Sequence, residues 1–146
     1  MSYKGIYRPS NPKKYKGDSQ NIIYRSLWER KFMNYCDLNE NILEWASEEF
    51  WIPYLDPTTN RVRRYFPDFF IKYKDKDSNI RRSVIEVKPM RETLEPKVTK
   101  GKSRKTMINE SLTYVKNQAK WKAAKEFCAD RKLEFKIMTE KELGIR

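Results

Sequence analysis

No histidine occurs anywhere in the chain. Its absence removes histidine-ligated zinc sites, Ser-His-Asp and Cys-His nucleophiles, and any hydrolase built on a histidine base. Catalysis is left to carboxylates, lysine, tyrosine and a hard metal ion. Cysteine is scarce too, with only Cys36 and Cys128. These are too few and too far apart for a structural zinc site. Each follows the apolar spacing of a helical pattern, so both are expected as reduced core residues rather than a disulfide. Long apolar runs are also missing: no stretch approaches the roughly 20 residues of a membrane span. The N-terminus lacks the apolar region of a signal peptide, which points to a protein made and used in a cytoplasm. At 146 residues the expectation is one domain with a real core.

What is present in excess is positive charge. The formal net charge is +12, which calls for a polyanionic partner. Residues 1–25 hold Lys4, Arg8, Lys13, Lys14, Lys16 and Arg25 against Asp18 alone. Residues 91–105 hold Arg91, Lys97, Lys100, Lys102, Arg104 and Lys105 against Glu92 and Glu95. Either run by itself would pass for a solvated surface. Two runs, interleaved with Tyr3, Tyr7 and Tyr15, point to nucleic acid. Lys13, Lys14, Lys16, Arg25, Lys100, Lys102, Arg104 and Lys105 are the candidate contacts to double-stranded DNA.

Residues 1–21, with Pro9, Pro12 and Gly17, read as an irregular basic arm, followed by a single domain over 22–146. "SLWE" fits a capping box, with Ser26 as N-cap and Glu29 at the third helical position. That helix is expected to run to about Leu38 and to bury Trp28, Phe32, Tyr35 and Cys36. The turn clusters "DPTTN" and "DKDSN" separate strand-like runs at 48–55, 61–73 and 80–88, a β-meander. After a polar, basic loop a second helix is expected over 106–131, with Leu112, Val115, Ala119, Ala123 and Phe127 inward. "LEFKIM" reads as a fourth strand and "TEKELG" as a short capped terminal helix. The order is α-β-β-β-α-β, an α+β arrangement with no internal repeat.

Within "RYFPDFFIKY" one carboxylate, Asp68, interrupts an aromatic strand pattern bound for the core. Burying a charge there costs several kcal/mol, roughly, unless something pairs with it. The strand ending "VIEVKP" puts Glu86 and Lys88 on one face and Ile85 and Val87 on the other. An antiparallel pairing brings Asp68 beside Glu86. Two such carboxylates repel unless a cation intervenes. Mg²⁺ suits a set of one or two carboxylates, a backbone carbonyl at Val87, waters and a substrate phosphate, and Mn²⁺ is expected to substitute. Lys88 would stand beside the attacking water and the phosphate. Glu29 lies on or beside the inward stripe of its helix, where capping and a role near the ion are compatible.

"FPDFF", "IEVKP" and the upstream "RSLWERKF" together resemble the PD-(D/E)xK nuclease superfamily. The fuller pattern "YRSLWERKF…EEFWIPY…RRYFPDFFIKY…IEVKP" is similar to the head-completion nucleases of T-even-like tailed bacteriophages. It is also similar to the endonuclease subunit of certain cut-and-paste transposition systems. The likeness covers roughly residues 7–130. It implies a restriction-endonuclease-like fold and Mg²⁺-dependent phosphodiester hydrolysis. Asp68 and Glu86 would be metal ligands, Lys88 the catalytic lysine, and Glu29 an aid to the metal or its water. Some superfamily members use a glutamine on the helix after this strand, which implies Gln118; Lys120 and Tyr114 are weaker candidates. A role in head completion and head–tail joining would place the protein in the infected host's cytoplasm or the virion, with portal or neck proteins as partners.

Two other readings stand beside this one. One is a DNA-binding structural head or neck protein that keeps the nuclease fold without turnover. The other is a resolvase or transposition endonuclease of the same fold. "GIY" at 5–7 with "YKG" at 15–17 imitates the start of a GIY-YIG nuclease, but two prolines stand where that fold needs hairpin strands.

Overall fold

A computed structural model describes residues 4–144; Tyr3 of the basic arm and the last two residues of the expected domain lie outside them. Four strands form the central sheet: β3 (Ile42–Ser47), β6 (Phe69–Lys74), β7 (Ile80–Val87) and β8 (Glu134–Met138), adjacent in that order. β3 and β7 each run antiparallel to β6, and β8 runs parallel to β7. A parallel neighbour needs a crossover, and the one-turn α2 (Met90–Thr93) and the long helix α3 (Arg104–Asp130) supply it. With α1 (Leu27–Leu38) the core order is α1-β3-β6-β7-α3-β8, the expected α-β-β-β-α-β.

Each face of the sheet carries its own core. On one, α1 packs Phe32, Met33 and Cys36 against Trp45, Phe69, Ile71, Ile85 and Val87. On the other, Trp121 and Ala124 of α3 meet Phe135, Ile137 and the hairpin β4 (Ile52–Asp56)–β5 (Arg61–Tyr65), through Ile52, Tyr54 and Tyr65. β7 is central, so its last five residues are buried on both sides. Cys36 and Cys128 are free and buried, as expected.

Several boundaries differ from expectation. The run 61–73 is two strands, not one. Pro67 has no N–H for a ladder, so the chain leaves β5 at Tyr65 and enters the central sheet at Phe69. The 48–55 run is likewise not the first sheet strand; "ILEWAS" forms β3, and β4 belongs to the separate hairpin. On α1, Tyr35 is exposed and Trp28 only partly buried, while Asp37 is buried. On α3 the buried positions are Asn117, Trp121, Ala124 and Cys128. Leu112 and Val115, expected inward, are 46% and 43% exposed, because the helix buries the face of Asn117, Trp121, Ala124 and Cys128 instead.

The N-terminal arm, largely irregular between Arg8 and Asn21, is held against the domain. β1 (Gly5–Tyr7) pairs with β2 (Ile22–Tyr24), and Tyr7 and Tyr15 enter the α1-side core. The Asp37 carboxylate holds the segment by accepting from Tyr7 Oη at 3.1 Å, Ser10 N at 2.7 Å and Asn11 N at 2.9 Å. The Lys14 ammonium donates to the carbonyls of Asp37 and Asn39 at the C-terminal end of α1, where a cation is favoured. The terminal helix α4 (Glu140–Leu143) closes the fold with a full capping box from Thr139 and Glu142.

Candidate active site

The β6–β7 ladder stops at the pair Phe69–Ile85. Beyond it, the Val87 N–H has lost its strand partner, and the Asp68 carboxylate takes that place: Val87 N donates to Asp68 Oδ2 at 2.8 Å. Lys88 N donates the other way, to Met138 O of β8. Main-chain groups of one strand residue point to the same side. The Val87 carbonyl therefore faces the gap that Asp68 fills. Asp68 is itself fixed through its backbone, whose carbonyl accepts from Glu48 N at 3.2 Å at the end of β3.

Glu86 projects from the α3-facing side of β7 and is 6% exposed. Tyr65 at the end of β5 donates its hydroxyl to Glu86 Oε1 at 2.6 Å. Lys88 Nζ stands 3.9 Å from Glu86 Oε2. Two strands that end at one place thus bring together the three side chains expected from "PD" and "ExK".

The electrostatics of the group are those of crowded negative charge. Burial pushes the Asp68 carboxyl well above the usual carboxylate range, and the charges of Glu86 and Glu29 add to it. The Val87 N–H and Lys88 work against that rise. Burial raises Glu86 as well, opposed by the Tyr65 hydroxyl, Lys88 and Lys120. Glu29 is raised by burial, with Glu48 and Glu86 contributing in the same direction. Burial and the neighbouring charge of Glu86 push the Tyr65 phenol up, consistent with its hydroxyl donating to Glu86.

Glu29 sits in the first turn of α1. Its N–H donates to Ser26 Oγ at 3.2 Å, and its Oε1 accepts weakly from Arg25 N at 3.4 Å. The capping box is thus half-formed, and the carboxylate remains within electrostatic reach of Asp68 and Glu86. Among the described residues no three Asp, Glu, Cys or His side chains gather closely enough to hold an ion on their own. The available donors are two carboxylates and one backbone carbonyl. An all-oxygen set with that few protein ligands fits Mg²⁺, which keeps several of its own waters.

Gln118 does not join this group. It is exposed on α3, while the helix turns Asn117 and Trp121 inward. Lys120 is the α3 residue that faces the site. Its ammonium lies 5.9 Å from the Tyr54 ring centroid and 5.7 Å from that of Tyr65. Burial lowers its pKa, against the pull of Glu86. Tyr65 had no signal in the sequence beyond its strand pattern, because its contact with Glu86 depends on how the β4–β5 hairpin folds over β7.

The expected DNA contacts divide. Lys13, Lys100, Arg104 and Lys105 are exposed. Lys14 is committed to α1, Lys16 lies 3.6 Å from Glu44, and Lys102 lies 2.8 Å from Glu110. Arg25 meets Glu48 with two hydrogen bonds of 3.1 Å beside Glu29.

Residues 39–140 match the family described as TnsA-like endonuclease N terminal. Over 143 residues the chain is 38% identical to the head completion nuclease of Enterobacteria phage T4, covering 96% of this chain and 93% of that protein. No helix among the described residues is long and apolar enough to cross a membrane.

Proposed function

The chain belongs to the TnsA-like endonuclease family, and from that premise we propose that it is a metal-dependent DNA nuclease that processes packaged DNA during phage head completion and head–tail joining. One observation carries the chemistry: Asp68 and Glu86 flank the point where the β6–β7 ladder opens, close enough for the charge of Glu86 to raise the Asp68 carboxyl, with Lys88 Nζ 3.9 Å from Glu86. The head-completion role comes from the likeness to the T4 protein.

Asp68, Glu86 and the Val87 carbonyl would hold Mg²⁺ or Mn²⁺, with Glu29 near the ion or its water. When bound, the ion supplies Lewis acidity and eases deprotonation of the attacking water. The chain's own residues do the rest. Tyr65 fixes one oxygen of Glu86 and so aims the other toward the gap. The Val87 N–H does the same for Asp68. Lys88 offsets negative charge as it grows on the phosphate oxygens. Lys120, braced by two aromatic rings, adds a second positive charge on the α3 side.

Supercoiled plasmid incubated with the purified protein and Mg²⁺ is expected to be nicked or degraded, with no cleavage in chelator or by Asp68→Ala. Intact plasmid with the wild-type protein, or equal cleavage by Asp68→Ala, would remove this reading.

A further inference from the structure

The segment that leaves β7 crosses the first half of α3 and encloses a cleft of about 860 Å³. α3 contributes one continuous face to it: Thr106, Asn109, Glu110, Thr113, Tyr114 and Asn117, each with a neighbour in the set three or four residues away. Leu94 and Pro96 lie on the opposite wall. The inner end adjoins the candidate active site, since Arg91 comes three residues after Lys88 in the chain and Asn117 stands one turn before Lys120.

Its charges cancel. Arg91, Lys97 and Lys102 share the lining with Glu92, Glu95 and Glu110, and Lys102 Nζ lies 2.8 Å from Glu110 Oε1. What remains is a neutral floor of hydroxyls, amides and one half-buried phenol ring, that of Tyr114. Free positive charge lies around the mouth instead, on the exposed Lys100, Arg104 and Lys105. Phosphates would not choose such a floor. Unpaired bases would, because they stack on an aromatic ring and hydrogen-bond amides while their backbone stays outside among cations. Bases within a duplex reach a concave site only after unpairing.

We propose that this cleft binds a short single-stranded extension of DNA whose duplex portion lies across Asp68 and Glu86. The preferred substrate is then an end or junction carrying unpaired nucleotides, not a blunt duplex. The proposal rests on the nuclease reading of the neighbouring site, yet binding in the cleft is separable from cleavage.

The test is fluorescence anisotropy of the full chain in chelator, with blunt duplexes and duplexes bearing either 5′ or 3′ single-stranded extensions. One extended form is expected to bind at least fivefold tighter than blunt duplex. Tyr114→Ala should remove most of that advantage and Tyr114→Phe should keep it; blunt-duplex affinity in the same preparations reports that each variant is folded. In the wild-type protein, 5-iododeoxyuridine placed in the extension should photocrosslink to the peptide containing Tyr114, a result that depends on no variant. Equal affinity for blunt and extended DNA, or crosslinks confined to other peptides, would overturn the proposal. Because no metal is present, that failure is distinct from an absence of nicking in the plasmid assay.

Discussion

Asp68 is the residue where the fold works against itself when no cation is present. Its carboxylate is partly buried beside Glu86 and within reach of Glu29, and its pKa is raised accordingly. Below the ordinary carboxylate range, near pH 4 or so, Asp68 is neutral in folded and unfolded chains and carries no penalty. As pH rises through the raised folded pKa, the unfolded chain has already released its proton while the folded site resists, so stability falls. In chelator, Asp68→Asn is expected to lose that fall and to melt a few degrees above wild type near neutral pH. Asparagine keeps an oxygen for the Val87 N–H. A large drop in melting temperature instead would mean that Asp68 is a structural hydrogen-bonding residue. In the proposed function Lys88 would make a different kind of contribution, because its charge would matter most as negative charge builds on the phosphate. Lys88→Ala is expected to slow single-turnover cleavage by about 10²–10³-fold, the scale for losing one such stabilising group. DNA affinity should change little, and a proportional loss of affinity would assign Lys88 to binding.

Among the elements, the N-terminal segment differs most from expectation. Asp37 is 1% exposed and gathers Tyr7, Ser10 and Asn11 onto α1. Asp37→Ala leaves those donors without their acceptor and should cost about 1–3 kcal/mol in denaturant unfolding. A change within about 0.5 kcal/mol, the range of ordinary surface substitutions, would show the arm to be loosely attached. Nothing in the spacing of "IYRPSNPKK" shows this packing, because the acceptor lies far along the chain and the interaction is purely tertiary. Glu86 and Lys88 were legible for the opposite reason: a strand's period of two puts them on one face whatever surrounds it. Pro67 marked a break that the aromatic run on either side obscured. Lys120 was hard to tell from Gln118, since an α-helix in a lysine-rich sequence does not reveal its phase until Trp121 and Ala124 are seen to be buried.

For the molecule as a whole, the charge of +12 overstates the surface available to DNA. Lys14, Lys16, Lys102 and Arg25 already have partners within the chain. Lys13, Lys100, Arg104 and Lys105 remain exposed, and the two lysines Lys100 and Lys105 stand with Arg104 at the mouth of the cleft. Each phosphate contact adds about 0.9 to the slope of log affinity against log salt. Replacing both lysines by alanine should therefore flatten that slope by about 2. An unchanged slope would move the duplex to another surface.

The proposed cleavage depends on Asp68 and Glu86 sharing one ion. Crystals of the protein soaked in Mn²⁺ and measured for anomalous scattering test that directly. The expected result is a peak between the Asp68 and Glu86 carboxylates and next to the Val87 carbonyl oxygen. No peak there at saturating Mn²⁺, or a peak only at some other group of carboxylates, would contradict the assignment.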